Sequence, residues 1–226
     1  MTASGFDVMA HLTEILNDPQ SSLRVNAAWD QISADFVDAY KRIPQRYMER
    51  SELSFHPYVK LLGYLCLETS GLSGDIVEIG VWKGKSLAFM RGLTSLPTKV
   101  IGVDPCALPG QSKEVDYFQK QLFPSCSLIK KMSELAIQDV TNLSQSFKIL
   151  HIDGGHAAEN VFMDFLIYEH FVVPGGYIVF DDYGDHAYSP AVGPAVDDLR
   201  QKRLFRNYEI VGQLPGYENS FVIKKH

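Results

Sequence analysis

Apolar positions in the first third of the chain recur every three to four residues. From Asp75 onward they gather instead into short runs separated by turns. Ile32, Phe36, Ala39, Tyr40 and Ile43 fall at helical spacing, and Tyr58, Leu61, Leu62, Leu65 and Cys66 repeat the pattern, with Pro44 and Pro57 as punctuation. Residues 1–71 therefore read as an N-terminal helical extension and residues 72–226 as the main domain. In the second region, Ile76, Val77 and Ile79 have the β-branched character of a buried strand. Further strands are predicted at Lys99–Asp104, Ser127–Lys130, Lys148–Asp153 and Tyr177–Phe180. Helical patterns separate them: Leu87, Phe89, Met90 and Leu93; Val115, Phe118 and Leu122; Ser133–Val140; Val161, Phe162, Phe165 and Leu166. A helix carrying Val196 and Leu199 follows, then Tyr208–Val211 and Phe221–Lys224 as a hairpin. This alternation predicts a doubly wound α/β sheet.

Composition narrows the picture. A chain of 226 residues that is 46% hydrophobic can bury one sizeable core. The net charge of −6 is spread without long basic runs, which argues against a nucleic-acid partner. No run approaches the ~18 apolar residues of a membrane helix, and the N-terminus has no secretory pattern, so a cytoplasmic protein with no membrane partner is expected. Three widely spaced cysteines, Cys66, Cys106 and Cys126, suggest neither a disulfide framework nor a zinc knuckle.

Chemistry concentrates where strands end. After the first strand the chain reads Glu78-x-Gly80-x-x-x-Gly84 and restarts as a helix near Ser86, an N-cap residue type. A strand, a glycine turn and a helix N-terminus make a site for an anionic or ribose-bearing ligand. Gly84-Lys85-Ser86 matches the end of a phosphate-binding loop, but that loop needs four residues between its glycines and here there are three. Val81 and Trp82 occupy the positions where a dinucleotide fingerprint requires glycine. Lys85 then reads as a helix-surface residue. Glu78 is expected to accept from loop N–H groups, and Asp104, ending the second strand, to accept ribose hydroxyls. Ser133, just beyond the third strand, reads as a helix cap.

A second set follows the fourth and fifth strands: His151-x-Asp153-Gly-Gly-His156 and Phe180-Asp181-Asp182-Tyr183. Three carboxylates from adjacent strand ends form a hard oxygen-ligand set suited to Mg²⁺. His156 reads as a general base, or alternatively as a ligand or capping residue. His151 lies inside its strand and reads as a core histidine, while Asp164, His170 and Asp185 read as surface. Residues 184–194, rich in Gly, Pro and aromatics, have the composition of a lid, with Trp82 and Tyr58 as aromatic walls.

The glycine motif, the strand-end acids and the terminal hairpin together resemble the class I S-adenosylmethionine-dependent methyltransferases. Asp153, Asp181 and Asp182 resemble the metal triad of their divalent-ion-dependent O-methyltransferases, of the macrolide and aminocoumarin sugar type and the catechol type. Gly155 departs from the acid usual in the closest group. The resemblance implies a Rossmann-like seven-stranded, mostly parallel sheet with a C-terminal antiparallel hairpin. It implies S-adenosylmethionine held by Glu78, Gly80, Trp82, Gly84, Ser86, Asp104, Ser133 and Asp153, and Mg²⁺ held by Asp153, Asp181 and Asp182. Catalysis would fall to Asp153 and His156, acting on a hydroxyl of a small sugar-like or phenolic acceptor. The N-terminal helices would cover the substrate mouth or form a contact in a homodimer or higher homo-oligomer. The rival readings are a P-loop-like NTPase and a cofactor-binding scaffold without turnover.

Overall fold

The computed structural model describes residues 7–48, 53 and 56–226. Of the 1–71 extension, residues 1–6, 49–52, 54 and 55 thus lie outside the described residues. Seven strands form one sheet: β1 (Asp75–Ile79), β2 (Val100–Val103), β3 (Ser127–Ile129), β4 (Phe147–Ile152), β5 (Val172–Phe180), β6 (Tyr208–Gly212) and β7 (Phe221–Lys225), in the order β3-β2-β1-β4-β5-β7-β6. The first five pair in parallel; β7 inserts antiparallel between β5 and β6. β1, β2 and β4 are buried nearly throughout because helices cover both faces, which removes the in-out alternation of a half-exposed strand.

The helices are α1 (Val8–Asn17), α2 (Pro19–Arg42), α3 (Lys60–Glu68), α4 (Lys85–Leu93), α5 (Gln111–Leu122), α6 (Ser133–Leu143), α7 (Ala158–Tyr168) and α8 (Val192–Gln201). One face of the sheet buries Leu61, Leu65, Leu87 and Met90 with Ile76, Ile149 and Val179, and Leu12 and Phe36 of α1 and α2 join that cluster. The other face packs Phe165, Val196 and Leu199 on Val77, Leu150 and Ile178. Asp7 and Asp18 cap α1 and α2, their carboxylates accepting from Ala10 N and Ser21 N, and Pro19 sits in the first turn, where a missing N–H costs nothing. No helix among the described residues is long and apolar enough to cross a membrane.

Local expectations are corrected in three places. β5 begins at Val172 rather than Tyr177, and the Pro174-Gly175-Gly176 turn lies within it. The register with β4 jumps there from Phe147↔Val172 to Ile149↔Tyr177, a bulge that a proline and a glycine at φ 82° can accommodate. The N-cap of α4 is Gly84, in the left-handed region, so Ser86 lies inside the first turn. The N-cap of α6 is Met132, which frees the Ser133 hydroxyl for another partner.

The segment after α2 is tied to the domain by one carboxylate. Glu114 of α5 is fully buried; its Oε1 accepts from Tyr47 N (2.9 Å) and Met48 N (3.1 Å), and its Oε2 lies 3.2 Å from Lys83 Nζ. Lys83 belongs to the loop between the two motif glycines. Glu114 thus links the segment after α2 to the turn that follows β1, where Lys83 also lies over the Tyr40 ring of α2.

Candidate active site

The chain reverses direction across the sheet between β1 and β4, the switch point beside which open α/β sheets bind ligands. Gly80 sits there at φ 87°, its N–H donating to Val103 O at 2.8 Å. A Cβ on it would stand 1.7 Å from the carbonyl oxygen of Asp153. Gly84, at φ 84°, packs its Cα against the Phe123 ring, which a Cβ would meet at 2.2 Å. Between them Trp82 takes φ 52° without being glycine, a conformation that has to be imposed by its surroundings. Asp104 is what imposes it. Its Oδ2 accepts from both Val81 N and Trp82 N at 2.9 Å, and its Oδ1 from Cys106 N (2.6 Å) and Gln111 Nε2 (3.2 Å). Those four donors occupy the roughly four acceptor positions of a carboxylate.

Glu78 does not accept from the loop as expected. It is the register partner of His151, and Oε1 lies 2.9 Å from His151 Nδ1 inside the sheet. Both residues are buried, and Glu78 Oε2 has no hydrogen-bond partner. Burial alone would push the His151 pKa down, but the Glu78 bond and charge, with Asp181 and Asp182 behind them, hold it above the usual imidazole value.

At the ends of β4 and β5, Asp153, His156, Asp181 and Asp182 line one cleft with Gly154 and Gly155. Metal-ligand atoms come together in two groups that share Asp153. His151, Asp153 and Asp181 form one; Asp153, His156 and Asp182 form the other, each within 4.8 Å. Loss of hydration first, and then the charges of Asp181 and Asp182, raise the Asp153 pKa well above the carboxylate range. Burial also raises Asp181, with His151 opposing it. Such a set is under electrostatic stress that a bound cation relieves. Tyr58 faces the same acids: burial, then Asp181, Asp153 and Asp182, raise its pKa.

His156 is paired on both nitrogens. Nε2 lies 3.1 Å from Asp182 Oδ2 and Nδ1 2.9 Å from Ser189 Oγ, while Ser189 Oγ also donates to Asp182 at 2.7 Å. Asp182 is at φ 59° and accepts further from Asn219 Nδ2 (3.2 Å), and Ser220 Oγ donates to Asp181 (3.1 Å). Sequence reading missed Ser189, within the 184–194 segment, and Asn219 and Ser220, because nothing in the spacing of the last two links the β6–β7 turn to the end of β5.

Two residues read as surface are buried. Asp164 is 2% exposed; it accepts from Ser133 Oγ and its Oδ2 lies close behind Gly154. Burial raises its pKa to about 6, with the Ser133 bond opposing. Because the folded pKa exceeds the unfolded one, native stability falls as pH rises from about 4 to about 6 and is then level. Asp164→Asn should remove that slope, so urea unfolding should find the variant gaining roughly 2–3 kcal/mol on the wild type between pH 4 and 7. An equal difference at both pH values would contradict it. Lys85, also buried, lays its Nζ 3.7 Å from the Trp29 ring centroid, and burial, then Lys60, lowers its pKa to about 7. A helix-surface reading failed there because Trp29 arrives from α2, 56 positions upstream.

A methyltransferase-domain family model matches residues 77–183, spanning the glycine loop, Asp104, Asp153, Asp181 and Asp182. An uncharacterized protein of Acanthamoeba polyphaga mimivirus is 34% identical over 151 residues, covering 65% of this chain and 68% of that protein. Among solved structures, the O-methyltransferase NovP superposes with a TM-score of 0.65 at 18% identity, covering 91% of this chain and 99% of NovP. An O-methyltransferase from Bacillus cereus in complex with SAH gives 0.59 at 14% identity, covering 96% and 95%. The P-loop NTPase reading is not favoured by these matches.

Proposed function

Since the chain belongs to the class I S-adenosylmethionine-dependent methyltransferases, we propose that it methylates a hydroxyl oxygen of a small polyhydroxylated acceptor, sugar-like or phenolic, with divalent-cation assistance. The observation that carries this reading is the abutment of Gly80 on the Asp153 backbone, which sets a cofactor loop directly beside an acid cluster. NovP and the Bacillus cereus protein are O-methyltransferases, which supports oxygen as the acceptor atom.

In this reading the turn from Gly80 to Gly84 receives the amino-acid and ribose side of S-adenosylmethionine, with Trp82 and Ser86 beside it. The orphaned Oε2 of Glu78 is a buried acceptor suited to a cationic donor such as the cofactor's amino group. Asp104 first serves to hold Val81 and Trp82, and takes ribose hydroxyls by exchanging one of its present partners. Ser133, held by Asp164, faces the adenine side.

Asp153, Asp181 and Asp182 are the proposed holders of Mg²⁺, whose charge would lower the pKa of an acceptor hydroxyl. His151, held by its bond to Glu78, favours the ionised form of Asp181 through its charge. The acceptor oxygen would attack the methyl carbon of S-adenosylmethionine, the carbon–sulfur bond would break with its electron pair remaining on sulfur, and the hydroxyl proton would pass to His156. The ring, once protonated, is paired with Asp182. Residues 184–194 and the N-terminal helices are the proposed cover that excludes water.

Chelation followed by add-back tests this. Methyl transfer from S-adenosylmethionine to a panel of sugar and catechol acceptors is expected to fall to background in EDTA and return with Mg²⁺. Full activity in chelator would eliminate the metal. Absence of S-adenosylhomocysteine binding by calorimetry would eliminate the methyltransferase reading itself.

A further inference from the structure

At the opposite end of the sheet, beneath the N-terminal ends of β1 and β4, lies a second cavity of about 310 Å³. Arg24, Cys66, Ser70, Thr94, Ser95 and Lys148 line it, and no acid does. Lys148 is 2% exposed, and the acceptor found for its Nζ is Thr98 Oγ1 at 3.0 Å. An ammonium group carries three donors. Among the described residues no carboxylate forms an ion pair with it. Asp75, the carboxylate whose charge reaches it, has Oδ1 taken by Lys99 N at 2.7 Å.

This is an unusual place for a lysine. Burying an ammonium without a counter-charge costs several kcal/mol, and buried charges are ordinarily paired. Lys83, a buried lysine in the turn after β1, follows that rule through Glu114. The charged side chains that line the cavity around Lys148 are positive, and Asp75 offsets part of the cost from outside that lining. Arg24 lines the same space, and Arg91 lies near enough to oppose the lysine's charge while its guanidinium holds the carbonyls of Thr94 and Thr98. A chain of net charge −6 has thus gathered cations around one cavity without an acid in its lining. Burial lowers the Lys148 pKa, with Cys66 and Asp75 opposing and Arg91 adding to it, and a bound anion would reverse that direction. The volume is well above the ~30 Å³ share of one water, so there is room for more than hydration of the ammonium.

We propose that this cavity is a binding site for a small oxyanion, a phosphate or carboxylate group, held by Lys148 and Arg24 with hydroxyls of Ser70 and Ser95. It lies at the end of the strands remote from Gly80, Asp153 and Asp181, so it stands or falls separately from methyl transfer. The anion supplies the missing acceptors of the Lys148 ammonium, and the guanidinium closes the outer side of the site.

The test is titration of the full chain with inorganic phosphate, and separately with acetate, against potassium chloride at matched ionic strength. It is read by calorimetry and by the shift in thermal unfolding. Saturable binding of phosphate or acetate is expected, and which of them binds identifies the class of oxyanion. Lys148→Met should weaken that binding at least about tenfold, the loss of one charge-assisted contact, and abolish the thermal shift. Arg24→Ala, an exposed change on α2 that leaves the core intact, should weaken it severalfold, which keeps the question answerable if Lys148→Met fails to fold. The proposal is overturned if neither anion binds beyond the chloride control, or if Arg24→Ala and every foldable Lys148 variant bind as tightly as the wild type.

Discussion

Gly80→Ala should abolish S-adenosylhomocysteine binding in calorimetry and lower stability by about 3 kcal/mol or more in denaturant unfolding. Two independent costs add at this position. At φ 87° any side chain is strained, by roughly 1–2 kcal/mol. The new Cβ would also stand 1.7 Å from the carbonyl oxygen of Asp153, and relieving such overpacking typically costs a further 1–3 kcal/mol. The partner is backbone, so no side chain can rotate away. Only separation of the β1 and β4 ends relieves the clash, and that movement pulls the proposed cofactor loop off the acid cluster. The Asp153 N–H, which donates to Ile79 O at 2.8 Å, would be lost in the same movement. An alanine variant that binds the cofactor product as the wild type does would show that the loop is not the cofactor site.

Asp153→Asn should have opposite effects on rate and on stability. Methyl transfer is expected to fall by roughly 10³-fold, the scale on which removal of a preorganised electrostatic group acts. Asp153 belongs to both ligand groups, so its neutralisation weakens both. Stability should rise. The folded protein holds this carboxyl well above its ordinary pKa, chiefly through lost hydration and then through Asp181 and Asp182. The native state therefore binds the proton more tightly than the unfolded chain, and wild-type stability declines as pH climbs past the unfolded value of about 3.9. Asparagine does not ionise, so its advantage should grow with pH above about 4 and vanish below it. The gain should be largest in chelator, where no cation offsets the repulsion. Unchanged turnover would remove Asp153 from the site; a loss of stability at neutral pH would show that its charge is compensated in some other way.

The core and the site differ in how far local pattern could reveal them. Ile76, Val100, Ile149 and Ile178 announce buried strands because each lies in a short apolar run that needs no knowledge of its neighbours. Asp104, Asp153 and Asp181 were legible for the same reason: an acid directly after such a run stands at a strand end, and in a parallel sheet those ends share one edge. Glu78 was misassigned because its partner depends on register. The pairing of Glu78 with His151 exists only once β1 and β4 lie side by side. Lys85 and Asp164 were misassigned because polar residues at helix positions look solvated until another element covers them.

The sequence by itself determined the α/β alternation, the glycine turn after the first strand and the run of acids at successive strand ends. Each follows from local sterics and from the apolar character of short segments. The tertiary structure decided which acids share a cleft and which donors already occupy them. It set Asp104 on the loop N–H groups, brought Ser189, Asn219 and Ser220 to Asp181 and Asp182, and left Lys148 buried with no carboxylate in ion-pair contact among the described residues. Those outcomes depend on the distance between groups remote in the chain. Electrostatic and hydrogen-bond energies fall off with that distance and take no account of separation along the sequence.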